Sequence, residues 1–196
     1  MANILTISRL VLSPFFILFF LTGILGRETD NTTLMWVGQI LALVIAVLFE
    51  ATDICDGYIA RKYKQVTEFG KLVDPLADSI SRFTAFLCFL AAGYASIWAV
   101  ALVFYRDATV ASLRGMAAKK GFVMAARASG KIKAIIQGTV IITICSLDVI
   151  KSAVKPELNV PHVANLLMWV VTGVTLWSLI DYLWGGRKFL KEIIKG

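Results

Sequence analysis

The chain consists of six long apolar runs separated by short polar segments. A helix needs about 20 apolar residues to cross the hydrocarbon core of a bilayer, and each run reaches about that length. Strand and hairpin signals are few, and a helix satisfies its own backbone hydrogen bonds in lipid. The pattern predicts an all-α, polytopic membrane protein with six transmembrane helices, at residues 4–25, 34–60, 71–94, 97–118, 132–150 and 163–184.

Composition supports this class. Of the 196 residues, 58% are hydrophobic and only 17% are charged, whereas soluble domains carry about 25% charged residues. A single membrane domain over residues 1–196 is expected, and the first apolar run is too long for a signal peptide, so we expect it to be retained. The net charge of +7 fits an anionic membrane lipid surface better than nucleic acid.

The loops predict the orientation in the membrane. Lys and Arg are concentrated in the loops after the second and fourth runs and in the tail after the sixth, whereas the other three loops are poor in them. Because basic loops remain in the cytoplasm, both termini are predicted to be cytoplasmic. We therefore expect a multi-pass protein of the cell (cytoplasmic, or inner) membrane.

The most charged stretch lies between the second and third runs and reads DICDGYIARKYKQVTEFGKLVDPLAD, residues 53–78. Asp53 and Asp56 share one face of the second helix, and Asp74 and Asp78, four residues apart, share a face of the third. The connection is short, so the helices are predicted to be antiparallel neighbours with four carboxylates at one depth. Such anions repel one another and are costly to desolvate.

Divalent cations would offset that repulsion, and oxygen-only ligands favour Mg²⁺, Mn²⁺ or Ca²⁺ over zinc. Paired Mg²⁺ ions held by Asp serve phosphoryl transfer, so we predict a site for divalent cations on the cytoplasmic side. The simpler alternative is that these charges only cap helices at the interface. Glu50 lies on the same broad face and is predicted to pair with a basic side chain.

The same stretch carries the pattern D-x-x-D-G-x-x-A-R, eight residues, then G-x-x-x-D-x-x-x-D. This resembles the signature of the CDP-alcohol phosphotransferases, which are integral membrane enzymes of phospholipid synthesis. The resemblance implies six transmembrane helices, a homodimer, and a two-metal site that faces the cytoplasm. It also implies transfer of a phosphatidyl group from CDP-diacylglycerol to an alcohol, with release of CMP.

The resemblance assigns roles to individual residues. The metal ligands that it implies are Asp53, Asp56, Asp74 and Asp78. The residues that it implies around CDP-diacylglycerol are Gly57, Ala60, Arg61 and Gly70. Asp78 is also the implied general base on the acceptor hydroxyl, and a carboxylate base agrees with the sequence, whose single His162 lies in a linker.

Three further stretches bear on the acceptor alcohol. They read NILTISR from Asn3, YRDATVASLRGMAAKKG from Tyr105 and ASGKIKAIIQG from Ala128, and they resemble the phosphatidylglycerophosphate synthases, which implies glycerol 3-phosphate as acceptor. A phosphorylated acceptor needs cationic side chains. The candidates are Arg106, Arg114, Lys131 and Lys133.

Other interpretations remain open at this point. The basic residues could serve only membrane topology, and Arg106 could form a structural pair with Asp107. A phosphatidylinositol phosphate synthase, or another family member with a different acceptor, would need similar cations. A small metal-ion transporter is a further alternative, against which the position of the Asp residues near the membrane face argues.

Overall fold

The computed structural model describes the backbone of residues 2–63, 68–119, 127–154 and 156–187, and the side chains of residues 6–55, 73–117, 127–154 and 156–187. All regular structure in this part of the chain is helical. The helices are α1 (Ala2–Glu28), α2 (Thr32–Tyr63), α3 (Glu68–Ala91), α4 (Ile97–Lys119), α5 (Ala128–Ala153) and α6 (Val160–Gly185). The all-α prediction is confirmed, and each helix contains most of one predicted run.

Four helices contain segments long and apolar enough to cross a membrane: Thr6–Glu28, Thr32–Cys55, Ala128–Ala153 and Val160–Gly185. The protein is therefore a multi-pass membrane protein. The other two helices, α3 and α4, each carry three charged residues within their described side chains, and this lowers their hydropathy. Six membrane crossings stay a prediction.

The bundle is apolar both inside and outside. α1 packs on α2 and α3, α5 packs on α6 and α2, and α4 packs on α6. Phe16, Phe20, Phe49 and Phe89 meet in the interior, with ring centroids 5.7–5.8 Å apart. Large apolar side chains also face outward, such as Trp98 at 69% exposure. An apolar outer surface of this kind suits lipid rather than water.

Two glycines let α1 and α2 approach each other closely. A Cβ atom on Gly38 would collide with the backbone of Gly23 and would lie 2.7 Å from the carbonyl oxygen of Phe19. Small residues at such crossings allow the backbone contact that drives helix association in membranes. This contact helps to fix α1 against α2, and α1 in turn carries two residues of the candidate site.

Polar residues collect at the two ends of the bundle. The site end comprises the beginnings of α1, α3 and α5 and the ends of α2, α4 and α6. At the far end, Arg27 donates to Tyr94 and Asp148 at 2.9 Å each, and the Tyr94 hydroxyl donates to Asp148 at 2.6 Å. This far-end network links α1, α5 and the loop after α3, and so holds together the side opposite the carboxylates.

Candidate active site

Three of the four predicted Asp residues have described side chains, and all three lie at the site end. Asp53 lies near the end of α2, and Asp74 and Asp78 occupy successive turns of α3. One guanidinium nitrogen of Arg9 contacts carboxylate oxygens of both Asp53, at 3.1 Å, and Asp78. Among the described residues, α2 and α3 each pack on α1 and not closely on each other, so the predicted direct neighbourhood of the two helices is wrong. Arg9 of α1 joins the carboxylates of Asp53 and Asp78 instead.

The first helix contributes two residues to the site that the signature does not include. Thr6 donates a hydrogen bond of 2.5 Å to Asp74, and Arg9 is 1% exposed. Thr6 and Arg9 are three residues apart, so they lie on one face of α1. Both residues belong to the stretch NILTISR, where the spacing of polar residues could have identified them. In the sequence, that stretch predicted only the acceptor, and not a contact with the carboxylates.

A second cation lies beside Asp53. Arg82, one turn after Asp78 on α3, forms ion pairs with Glu50 at 3.7 Å and with Asp53 at 3.6 Å. The predicted basic partner of Glu50 is confirmed, and it is Arg82. Since Arg82 follows Asp78 by four residues, helical spacing could have identified it.

The chemistry of these donors fits a hard divalent cation. The described candidate ligands are carboxylate oxygens, the type that Mg²⁺ and Mn²⁺ prefer. The side chain of Asp56, one turn from Asp53, lies outside the described residues. Among the side chains that are described, no group of three acidic, His or Cys residues is close enough to hold an ion. The two-ion site therefore stays a prediction that includes Asp56.

Two of the predicted acceptor residues, Arg106 and Lys133, meet at one carboxylate. Arg106 donates to Asp107 at 3.0 Å and to Ser178 at 2.6 Å, and Lys133 donates to Asp107 at 2.5 Å. Both cations are buried, and Nε of Arg106 is buried without a hydrogen-bond partner within the described side chains. The pair of Arg106 with Asp107 exists, but it forms part of a larger cluster that includes Lys133.

The other two acceptor candidates lie apart from this cluster. Arg114 donates to the Tyr182 hydroxyl at 2.6 Å and packs over its ring, whereas Lys131 is exposed. Because Ser178 and Tyr182 are one turn apart on α6, the side chains of Arg106 and Arg114 reach the same face of that helix. The structure thus brings Arg106 and Lys133 together and leaves Lys131 outside their cluster.

The beginning of α5 is fixed to the end of α6. Arg127, which precedes the first residue of α5, donates two hydrogen bonds of 2.7 Å to Asp181, and Ser129 donates a third at 2.5 Å. The hydrogen bonds that Arg127 itself donates to Asp181 raise the pKa of Arg127 above its ordinary value. This connection sets the position of the first two turns of α5, from which Lys131 and Lys133 project.

Beyond their backbone, the four residues assigned to CDP-diacylglycerol lie outside the described part of the structure; they are Gly57, Ala60, Arg61 and Gly70. The backbone of the first three belongs to α2, and that of Gly70 belongs to α3.

The comparisons with known proteins agree with this arrangement. A family model described as CDP-alcohol phosphatidyltransferase matches residues 1–177. The CDP-diacylglycerol–glycerol-3-phosphate 3-phosphatidyltransferase of Bacillus subtilis (strain 168) is 32% identical over 181 residues, covering 92% of this chain and 91% of its own length. A protein of the same name from Yersinia pestis (strain Pestoides F) is 30% identical over 184 residues, with 91% and 90% covered. One from Treponema pallidum (strain Nichols) is 35% identical over 100 residues, with 50% and 46% covered. With its signature, its helical bundle and a family match over most of its length, this chain belongs to the CDP-alcohol phosphatidyltransferase family.

Proposed function

We propose that this protein transfers a phosphatidyl group from CDP-diacylglycerol to the hydroxyl of glycerol 3-phosphate, giving phosphatidylglycerol phosphate and CMP. The observation that carries the proposal is the likeness, over about nine tenths of the chain, to relatives named for this reaction. The arrangement of charges supports it: carboxylates suited to metal ions and buried cations suited to a phosphorylated acceptor lie at the same end of the bundle.

The residues that would hold two Mg²⁺ or Mn²⁺ ions are Asp53, Asp56, Asp74 and Asp78. When bound, such ions offset the charge of the pyrophosphate and stabilise the departing CMP oxygen. In this proposal Asp78 accepts the proton of the acceptor hydroxyl as that oxygen attacks phosphorus. Thr6 orients Asp74 through its hydrogen bond, and Arg9 keeps Asp53 and Asp78 close together.

The cluster of Arg106 and Lys133 is the best candidate for the acceptor phosphate. Asp107 orients both cations, and each of them has further N–H donors for phosphate oxygens. A charge-assisted contact of this kind selects a phosphorylated alcohol over a neutral one. Arg114 and Lys131 remain candidates for a wider basic rim around the acceptor.

The same proposal predicts how the enzyme is oriented in the membrane and how it assembles. The lipid-facing surface would admit the acyl chains of CDP-diacylglycerol from the membrane. The site end would face the cytoplasm, where the basic loops are expected. A homodimer in the cell membrane is the assembly that the family resemblance implies.

An acceptor panel tests the proposal. Purified protein, CDP-diacylglycerol and Mg²⁺ are combined with glycerol 3-phosphate, myo-inositol 1-phosphate, glycerol or serine, and CMP release is measured. Glycerol 3-phosphate is expected to give the highest kcat/KM. Faster reaction with myo-inositol 1-phosphate would replace the acceptor and keep the reaction class. Equal rates with uncharged glycerol would contradict the assignment of the basic cluster.

A further inference from the structure

Glu50 and Arg82 form a largely buried ion pair beside the candidate metal site, and neither residue belongs to the family signature. The Arg82 side chain is 11% exposed and the Glu50 side chain 20% exposed. Nε of Arg82 lies 3.7 Å from one oxygen of Glu50, while its Nη2 lies 3.6 Å from Oδ2 of Asp53. Arg82 is therefore shared between a signature carboxylate and a carboxylate with no assigned role.

The carboxylate of Glu50 also contacts α5. A Cβ atom at Gly138 would collide with the carboxyl carbon and both carboxyl oxygens of Glu50. The Glu50 carboxylate thus lies directly against the backbone of α5, in space that only a glycine leaves open. The contact places Glu50 so that its charge acts on Arg82 rather than on solvent.

We infer that Glu50, Arg82 and Gly138 form a positioning unit that keeps Asp53 available to a divalent cation; the inference rests on the proposed metal site. Around Asp53 the described charges are three carboxylates, Glu50, Asp53 and Asp78, and two guanidinium groups, Arg9 and Arg82. Three negative and two positive charges leave this group of five with one negative charge, and Asp74 adds another at the same end of the bundle; both attract a cation.

Glu50 contributes to that balance. Without its charge, the net charge of the five groups becomes zero, and Arg82 keeps its ion pair with Asp53 with no competition from Glu50. The guanidinium then competes with the divalent ion for the same carboxylate. An isosteric change at Glu50 should therefore weaken metal binding, and displacement of Glu50 by a methyl group at Gly138 should act in the same direction.

The far-end network offers a control of the same chemistry. Asp148 is also a buried carboxylate that pairs with an arginine and holds helices together. It lies ten residues after Gly138 on α5, about 15 Å along the helix. Asp148→Asn removes one negative charge and one inter-helix ion pair without touching the candidate site. This variant therefore measures how the loss of one inter-helix ion pair, away from the candidate site, affects metal binding.

The experiment compares full-length wild type with Glu50→Gln, Gly138→Ala and Asp148→Asn, each purified in detergent. Mn²⁺ binding is measured by electron paramagnetic resonance without substrates, and the Mg²⁺ concentration for half-maximal CMP release is measured separately. Glu50→Gln is expected to raise both constants roughly tenfold, since a charge close by in a partly buried site acts at low effective dielectric. Gly138→Ala should raise them too, and Asp148→Asn should leave both within about twofold of wild type.

The outcomes separate the two proposals. If wild type binds no Mn²⁺ and needs no Mg²⁺, the proposed metal site fails, and the role of Glu50 fails with it. If wild type binds Mn²⁺ but Glu50→Gln has unchanged constants, only the positioning unit is overturned. Equal shifts in Glu50→Gln and Asp148→Asn would likewise reduce Glu50 to a structural contact. Because Glu50→Gln keeps the size of the side chain, it provides the test even if Gly138→Ala does not fold.

Discussion

Replacing Lys133 with methionine tests the acceptor site most directly. Lys133 is buried on α5, and its ammonium group donates one hydrogen bond of 2.5 Å to Asp107. An ammonium group has three donors, so two remain for an acceptor phosphate. Methionine keeps the approximate length and apolar stem of the side chain and removes the charge together with its three hydrogen-bond donors. Asp107 keeps its contact with Arg106 at 3.0 Å, so it is not left as an isolated buried charge.

The expected magnitude is that of one charged hydrogen bond to the acceptor phosphate. A hydrogen bond to a charged group contributes about 1.5–3 kcal/mol. Removing one such bond corresponds to an increase of roughly 10- to 150-fold in KM for glycerol 3-phosphate, if KM follows binding. KM for CDP-diacylglycerol should change little, because that substrate is assigned to residues on α2 and α3.

The assay is CMP release under saturation by each substrate in turn, for wild type, Lys133→Met and the control Lys151→Met. Lys151 lies in the last turn of α5, about 27 Å from Lys133 along the helix. Lys151→Met should therefore have wild-type constants. An equal rise in KM for both substrates in Lys133→Met would indicate a general structural defect. An unchanged acceptor KM would exclude Lys133 from the phosphate site.

Three further predictions concern the metal site, the base and the helix contact. Asp53→Asn should abolish turnover, and a chelator should stop CMP release by the wild type until Mg²⁺ is restored. Undiminished CMP release in excess chelator would rule out the metal mechanism. Asp78→Asn should lower kcat by a factor of ~10² to 10⁴ with little change in CDP-diacylglycerol binding, because an amide accepts no proton. Near-normal turnover in this variant would show that Asp78 is not the base. Gly38→Ala should destabilise the folded protein by about 1–3 kcal/mol through overpacking, whereas the control Gly173→Ala, with open space around it, should be neutral or slightly stabilising. Thermal unfolding in detergent compares the two variants, and equal effects would contradict the close contact of α1 and α2.

Local information in the chain was enough to predict the helices and the spacing of the signature carboxylates. The length of an apolar run predicts a helix because lipid offers no partners for backbone N–H and C=O groups. Likewise, Asp74 and Asp78 share a face whatever the helix packs against, because four residues make about one turn. A short connection then predicts that α2 and α3 run antiparallel, so that Asp53 lies at the same end of the bundle as Asp74 and Asp78.

Only the tertiary structure decided which groups from distant parts of the chain complete these sites. Arg9 lies 44 residues from Asp53 and 69 from Asp78, and no local periodicity relates the rotation of α1 to that of α2 and α3. That rotation depends on packing, including the close approach of Gly23 and Gly38.

Helix packing also decides which of the two lysines at the beginning of α5 is buried. Lys131 and Lys133 are equivalent in charge and adjacent in the sequence pattern, yet Lys133 is buried on Asp107 and Lys131 is exposed. Two residues along a helix differ by about 200° in direction. Which of the two faces the interior is set by how α5 packs against its neighbours, and the composition of the loop carries no information about that packing.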